Sequence, residues 1–93
     1  MAATSEHADT RVLAVTTTDQ VMDFGSPMID EIVVVADATT VRIDFDQPTD
    51  ASSFPLLTAN QPIRIRVNFN KLYASTSGGT ANLYVLAVRL NNP

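Results

Sequence analysis

The sequence predicts an all-β domain, an antiparallel β-sandwich wrapped compactly in the manner of a jelly roll. Three observations carry that expectation. Seven to eight short runs rich in Val, Ile, Thr, Phe and Tyr recur at intervals of about eight to twelve residues. Gly, Pro, Asn, Asp and Ser gather between the runs, where chain reversals need them. No window carries apolar residues at helical spacing.

Residues 1 to 9 are small and polar and hold no period, so they are expected as a flexible N-terminal arm ahead of one domain over 10–93. Arg11 to Thr18 is rich in β-branched residues and predicts the first strand. Val21 to Phe24 predicts a short second strand, ended by Gly25-Ser26-Pro27. Ile29 to Ala36 contains the run Ile32-Val33-Val34-Val35-Ala36, apolar without a break, and predicts a central strand covered on both faces. Thr40 to Asp46 alternates, with Val41, Ile43 and Phe45 inward and Arg42, Asp44 and Asp46 outward. A slip of one residue would bury the three charges instead, so the register is set.

Gln47 to Ser53 is a polar loop, and Phe54 to Thr58 predicts a short edge strand because Pro55 has no N–H to give a ladder. Ile63, Ile65, Val67 and Phe69 fall on one face of the next strand, with Arg64, Arg66 and Asn68 on the other. A tight corner at Asn70-Lys71 leads to a strand over Leu72 to Thr76. Gly78-Gly79 is expected as a hairpin turn into the last strand, Ala81 to Leu90. There Leu83, Val85 and Ala87 occupy one face and Tyr84, Leu86, Val88 and Leu90 the other. Both faces are apolar, and a small sandwich covers only one face of a strand by itself. The second set is therefore wrapped by the N-terminal part or pressed against another subunit.

Composition narrows function mainly by exclusion. The net charge is −4 and the pI about 4.5, which opposes a phosphate-binding surface built from clustered Lys and Arg, so no nucleic-acid partner is expected. There is no cysteine, hence no disulfide framework, thiol nucleophile or thiolate metal site. No apolar run approaches the roughly 20 residues that span a bilayer, and the first nine residues lack the basic and apolar regions of a secretion signal, so a soluble protein with no membrane partner is expected. His7 is the one histidine, placed in the expected arm, away from any nucleophile it could activate. The serines lie in no nucleophile elbow, and Gly78-Gly79 lacks the helix and lysine of a phosphate cradle. No enzyme activity and no cofactor are expected.

The best candidate for a metal is Asp44, Asp46 and Asp50. Asp44 and Asp46 share a strand face, Asp50 follows in a loop, and calcium takes six to eight oxygens. The loop lacks the glycine and closing glutamate of an EF-hand. The plain alternative is a solvated face on which Asp44 or Asp46 lies near Arg42, Arg64 or Arg66. A sugar-binding face would need aromatic platforms, and the chain has no tryptophan and two tyrosines, Tyr73 and Tyr84. A tyrosine ring suits a sheet margin or an interface, with its hydroxyl wet.

From Asp30 onward the chain shows a Val-rich strand, a strand ending in Phe45-Asp46 and a Pro48-Thr49-Asp50 loop. Phe54-Pro55-Leu56, Phe69-Asn70-Lys71-Leu72-Tyr73-Ala74 and Gly78-Gly79-Thr80-Ala81-Asn82-Leu83-Tyr84-Val85-Leu86-Ala87 follow. In order and pattern these features resemble the small β-sandwich structural proteins of tailed bacteriophages. The resemblance implies a virion protein made in the host cytoplasm, of the capsid decoration (cement) or head-fibre type and commonly a homotrimer. No shaft or coiled-coil segment precedes the sandwich here, which favours the compact decoration type. On that reading Tyr84, Leu86, Val88 and Leu90 face the other subunits, and residues of the 1 to 18 segment, Arg11 and Leu13 among them, meet the major capsid protein. A tail or head-fibre component and a carbohydrate-binding module are the alternatives.

Overall fold

The computed structural model describes residues 5–50 and 56–91, with side chains over 8–50 and 56–89. Eight strands follow in chain order: β1 (Ser5–Val15), β2 (Gln20–Asp23), β3 (Ile29–Ala36), β4 (Val41–Phe45), β5 (Leu56–Leu57), β6 (Ile63–Phe69), β7 (Lys71–Thr76) and β8 (Ala81–Asn91). They form two four-stranded antiparallel sheets, ordered β1-β8-β3-β6 and β2-β7-β4-β5. The described residues contain no helix, and so none that could cross a membrane.

β1 pairs with β8, β2 with β7, β3 with β6 and β4 with β5. Each strand thus meets its mirror position in the chain, as in one long hairpin doubled back between Phe45 and Leu56. Pairing of β3 with β8 and of β4 with β7 rolls that hairpin into two facing sheets. This is the eight-stranded jelly roll, and the expected fold class is the one that forms.

The inward rows of the two sheets make one core. Ile32, Val34, Ala36, Leu83, Val85, Ala87 and Val15 from the first sheet face Val41, Ile43, Leu57, Leu72 and Ala74 from the second, all buried. Each large aliphatic chain placed there contributes about 1.5 to 3 kcal/mol before conformational entropy is set against it. At one end Phe69 joins the sheets, edge-on to Phe24 (centroids 5.8 Å apart, planes at 86°) and tilted against Phe45 (4.8 Å, 52°). The β3–β6 ladder slips by one residue between Ile29 and Glu31. That irregularity lets Ile29 and Ile32, three apart, both point inward.

Three expectations need correction. Residues 5 to 9 are not an arm: they are the first half of β1, laddered from Ser5 opposite Asn91 to Asp9 opposite Ala87. Residues 1 to 4 lie outside the described ones. β3 is central in its sheet, but the described residues cover only one of its faces, leaving Val33 and Val35 half-buried on the other. Gly78-Gly79 is not a hairpin turn, because β7 and β8 belong to different sheets and the segment arches between them. Gly79 has a φ of 78°, as such a reversal requires.

Polar side chains fasten the ends. Asp46, at a φ of 62°, lies just beyond β4, where its Oδ1 accepts the backbone N–H groups of Asn70 (3.0 Å) and Lys71 (2.9 Å). A short-chain aspartate tolerates that left-handed backbone and satisfies the β6–β7 corner. Asp37 does the same at the other end, taking the Asn82 backbone N–H at 2.8 Å and its side-chain amide at 3.1 Å.

Candidate functional site

Strand pairing sorts the outward side chains of the first sheet into rows. Val12, Tyr84 and Val35 lie side by side across β1, β8 and β3; Thr10, Leu86 and Val33 form the next row; Ala8, Val88 and Glu31 form the third. Beyond β3, Arg64 stands opposite Val33 and Arg66 opposite Glu31 on β6. The rows therefore grade from apolar at β1, β8 and β3 to charged at β6. Val12 is 60% exposed and Tyr84 43%, while Val33, Val35, Leu86 and Val88 are half-buried by one another. Between β1, β8 and β3 lies a shallow, largely apolar depression of about 360 Å³. Toward β6, Glu31 has an oxygen 2.7 Å from Arg64 Nε and another 4.0 Å from Arg66 Nε. Those arginines are solvent-exposed, so the pairs contribute little stability.

The outer face of the second sheet is different in kind. Val21 and Tyr73 share a row with Asp44, Asp23 stands opposite Lys71, and Leu56 lies beside Arg42. Apolar and charged side chains alternate there, as on an ordinary solvated surface. Tyr73 and Tyr84 thus sit on opposite faces of the sandwich and build no common aromatic platform, and Phe54 lies outside the described residues.

The structure brings some of the residues expected at an interface onto one face. Tyr84, Leu86 and Val88 do share the outer face, and the side chain of Leu90 lies outside the described ones. Leu13 does not belong to that face: in phase with Val15, it packs against the core. Arg11 shares the inward phase and bridges the two sheets at their margin. Its Nη1 donates to the Asp23 carbonyl (3.0 Å), its guanidinium lies 4.4 Å from the Phe24 ring centroid, and Nε and Nη2 both donate to Asp9 Oδ2 (3.1 and 2.8 Å). Arg89 closes the same margin by donating to the carbonyls of Pro27 (2.7 Å) and Phe24. Val33 and Val35 were not among the expected interface residues, and Val12 was expected only within the 1 to 18 segment, facing the shell. The signal for Val12 was its position one residue out of phase with Leu13; the two valines of β3 were hidden in a block with no alternation.

Among the described residues Asp44, Asp46 and Asp50 are not gathered where they could share a cation. Asp44 accepts the Phe45 backbone N–H (2.9 Å) and the Gln47 amide (3.1 and 3.2 Å), while Asp46 is turned to the β6–β7 corner. Among the described residues no three acidic or histidine side chains lie where they could share a cation. Nor do Asp44 and Asp46 meet Arg64 or Arg66, which belong to the other sheet and pair with Glu31. The side chain of His7 lies outside the described ones.

One polar network was not foreseen. Thr49 gives its backbone N–H to Asp19 Oδ2 (3.0 Å) and its hydroxyl to Asp19 Oδ1, and its Oγ1 lies 2.7 Å from Ser75 Oγ. A carboxylate only accepts and Thr49 has one hydroxyl proton, so Ser75 is the donor in the last bond. The buried Ser75 proton is thereby committed to fastening the loop after β4 onto β7, while Thr49 ties that loop to the segment before β2.

Asp9 is the titrating group of the β1 margin. The hydrogen bond from Arg11 holds its carboxyl below the usual carboxylate range, and the charges of Arg11 and Arg89 act in the same direction against the opposing effect of burial. A lowered folded value means stability present above the unfolded pKa of about 3.9 and lost as pH falls through the folded value. Denaturant unfolding should therefore show Asp9→Asn less stable than the parent at pH 5 to 7. The gap should begin to narrow below about pH 3.9 and close only once pH has fallen below the lowered folded value, where both side chains are neutral; a gap independent of pH would disprove the role.

No family model matches this chain, and neither a curated protein nor a solved structure does. The molecule is defined by its fold and surface: a jelly roll with one apolar and one mixed outer face.

Proposed function

We propose that this chain is a structural protein of a virion, a capsid decoration protein that associates as a homotrimer and binds the major capsid protein on the outside of the shell. The observation that supports this reading is the apolar outer face of β1, β8 and β3, set on a sandwich whose core is already complete without it. Covering Val12, Val33, Val35, Tyr84 and Leu86 removes apolar surface from water, and the benefit grows with the area covered. The pattern resemblance to small phage sandwich proteins supplies the context, and fold alone does not specify the role.

Function here would be mechanical. A protein that binds only the assembled shell stabilises it by mass action, and a trimer multiplies each weak contact by raising the effective concentration of the next. Tyr84, Leu86 and Val88 serve the contact between copies. Because residues 5 to 9 belong to β1, they meet the shell as part of the sandwich and not as a free arm. Light scattering on the purified protein at micromolar concentration should give a mass of roughly 30 kDa, three chains of 10.0 kDa, or a whole multiple of it where trimers join. A monodisperse 10.0 kDa species would overturn the trimer and with it the main support for the role.

A further inference from the structure

The two sheets present four edge strands, and they are not equally defended. β5 has two residues and β2 four, too short to template a partner. β6 has seven residues, with Pro62 just ahead of it, a register shift within its ladder to β3, and the exposed Arg64 and Arg66 along it. Proline, irregularity and charge are the usual guards of an edge. β1 has eleven residues, contains no proline or lysine, keeps an unbroken ladder with β8 and, among the described residues, has no strand on its other side. Its outward side chains from Ala8 to Ala14 are Ala8, Thr10, Val12 and Ala14, all exposed and uncharged.

We infer that β1 pairs edge to edge with β1 of a second copy, antiparallel and centred on Thr10, joining two first sheets into one eight-stranded sheet across a two-fold axis. The occupant is identified by charge. About Thr10 the strand is self-complementary: Asp9 stands opposite Arg11 of the second copy, and Arg11 opposite its Asp9. These four groups, already paired within each chain at 2.8 Å, become a square of alternating sign. A shift of two residues either way sets Asp9 against Asp9 or Arg11 against Arg11, which is unfavourable directly across a ladder. Inward charges that repel a neutral strand therefore select a second copy and fix its register. Ala8 then lies opposite Val12, so the apolar outer faces of both copies run together.

The contact goes beyond the proposed role and holds or fails independently of it. Edge pairing uses backbone groups in the plane of the sheet, whereas docking on the outer face uses side chains perpendicular to it, so one copy accommodates both. The natural chain has no cysteine, which makes single thiols a clean probe. Opposed residues of an antiparallel pair have Cα atoms about 4.5 to 5.5 Å apart, within the span of a disulfide. Thr10→Cys should therefore oxidise to a linked dimer of roughly 20 kDa at least about tenfold faster than Ala14→Cys, whose two copies would be far apart. Ala8→Cys mixed with Val12→Cys should form the mixed dimer faster than either variant links to itself. Equal rates for Thr10→Cys and Ala14→Cys, or no preference in the mixture, would overturn the pairing whatever mass the parent protein shows.

Discussion

Phe69→Ala should lower the stability of the domain by about 3 to 5 kcal/mol, the range for removing a buried aromatic ring. Phe69 is fully buried on β6 opposite Ile29, and it is the ring on which Phe24 and Phe45 both rest. Those two rings come from the segment after β2 and from the end of β4, so its loss opens a cavity where the sheets converge. Phe24 in turn lies beneath the Arg11 guanidinium, and its N–H donates to the Asn70 carbonyl at 2.8 Å. Single domains have about 5 to 15 kcal/mol in all, so the variant should sit near its unfolding threshold at physiological temperature. Denaturant unfolding measures the difference. Phe69→Leu retains most of the volume and should cost less than about 2 kcal/mol, chiefly the aromatic contacts. Equal losses for the two substitutions would show that cavity formation is not the cause.

Leu86→Asp should separate assembly from folding. Leu86 lies on the outer face between Thr10 and Val33, so an aspartate there meets water in a single chain and leaves the core untouched. In a trimer closed through that face, three carboxylates would be desolvated together, each at a cost of several kcal/mol. The dissociation constant of the trimer should rise by a factor of about 1,000 or more, leaving no trimer at micromolar concentration while the chain stays folded. Val85, one residue away, is 2% exposed and points into the core; Val85→Asp should prevent folding outright. Light scattering and circular dichroism read the two effects. A trimer that survives Leu86→Asp would place the subunit contact elsewhere.

How much of this was legible in the sequence varied by element. β3 and β6 have the expected bounds, because Pro27 and Pro62 precede them and β-branched residues fill them. The first half of β1 was not legible. Ser5-Glu6-His7-Ala8-Asp9 has no strand propensity of its own and is a strand because the eleven-residue β8 offers it a ladder from far along the chain. Gly78-Gly79 was correctly placed at a reversal, but turn chemistry says where a chain bends and not which sheet receives it. The aspartates show a similar limit. Alternation put Asp44 and Asp46 on one face, yet β4 ends at Phe45 and a positive φ redirects the next side chain. Half of the apolar face was visible in β8, whose two-sided composition is unambiguous. The other half came from Val33 and Val35, which became outward only when Ile32 and Val34 were fixed as inward.

The mirror pairing of strands also determines when the molecule can first hold together. Sequence neighbours pair only at β4 and β5, over Val41 with Leu57 and Arg42 with Leu56. Every other ladder joins distant segments, and β8, made after the other seven strands, lies between β1 and β3 in its sheet. Until it emerges, the nascent first sheet has a gap at its centre, with β1 on one side and β3 on the other. Sandwiches dominated by such distant contacts fold in about milliseconds to seconds. The first sheet therefore cannot close until β8 is available, and the β-rich segments made earlier must stay apart from those of neighbouring polysomes until its eleven residues arrive.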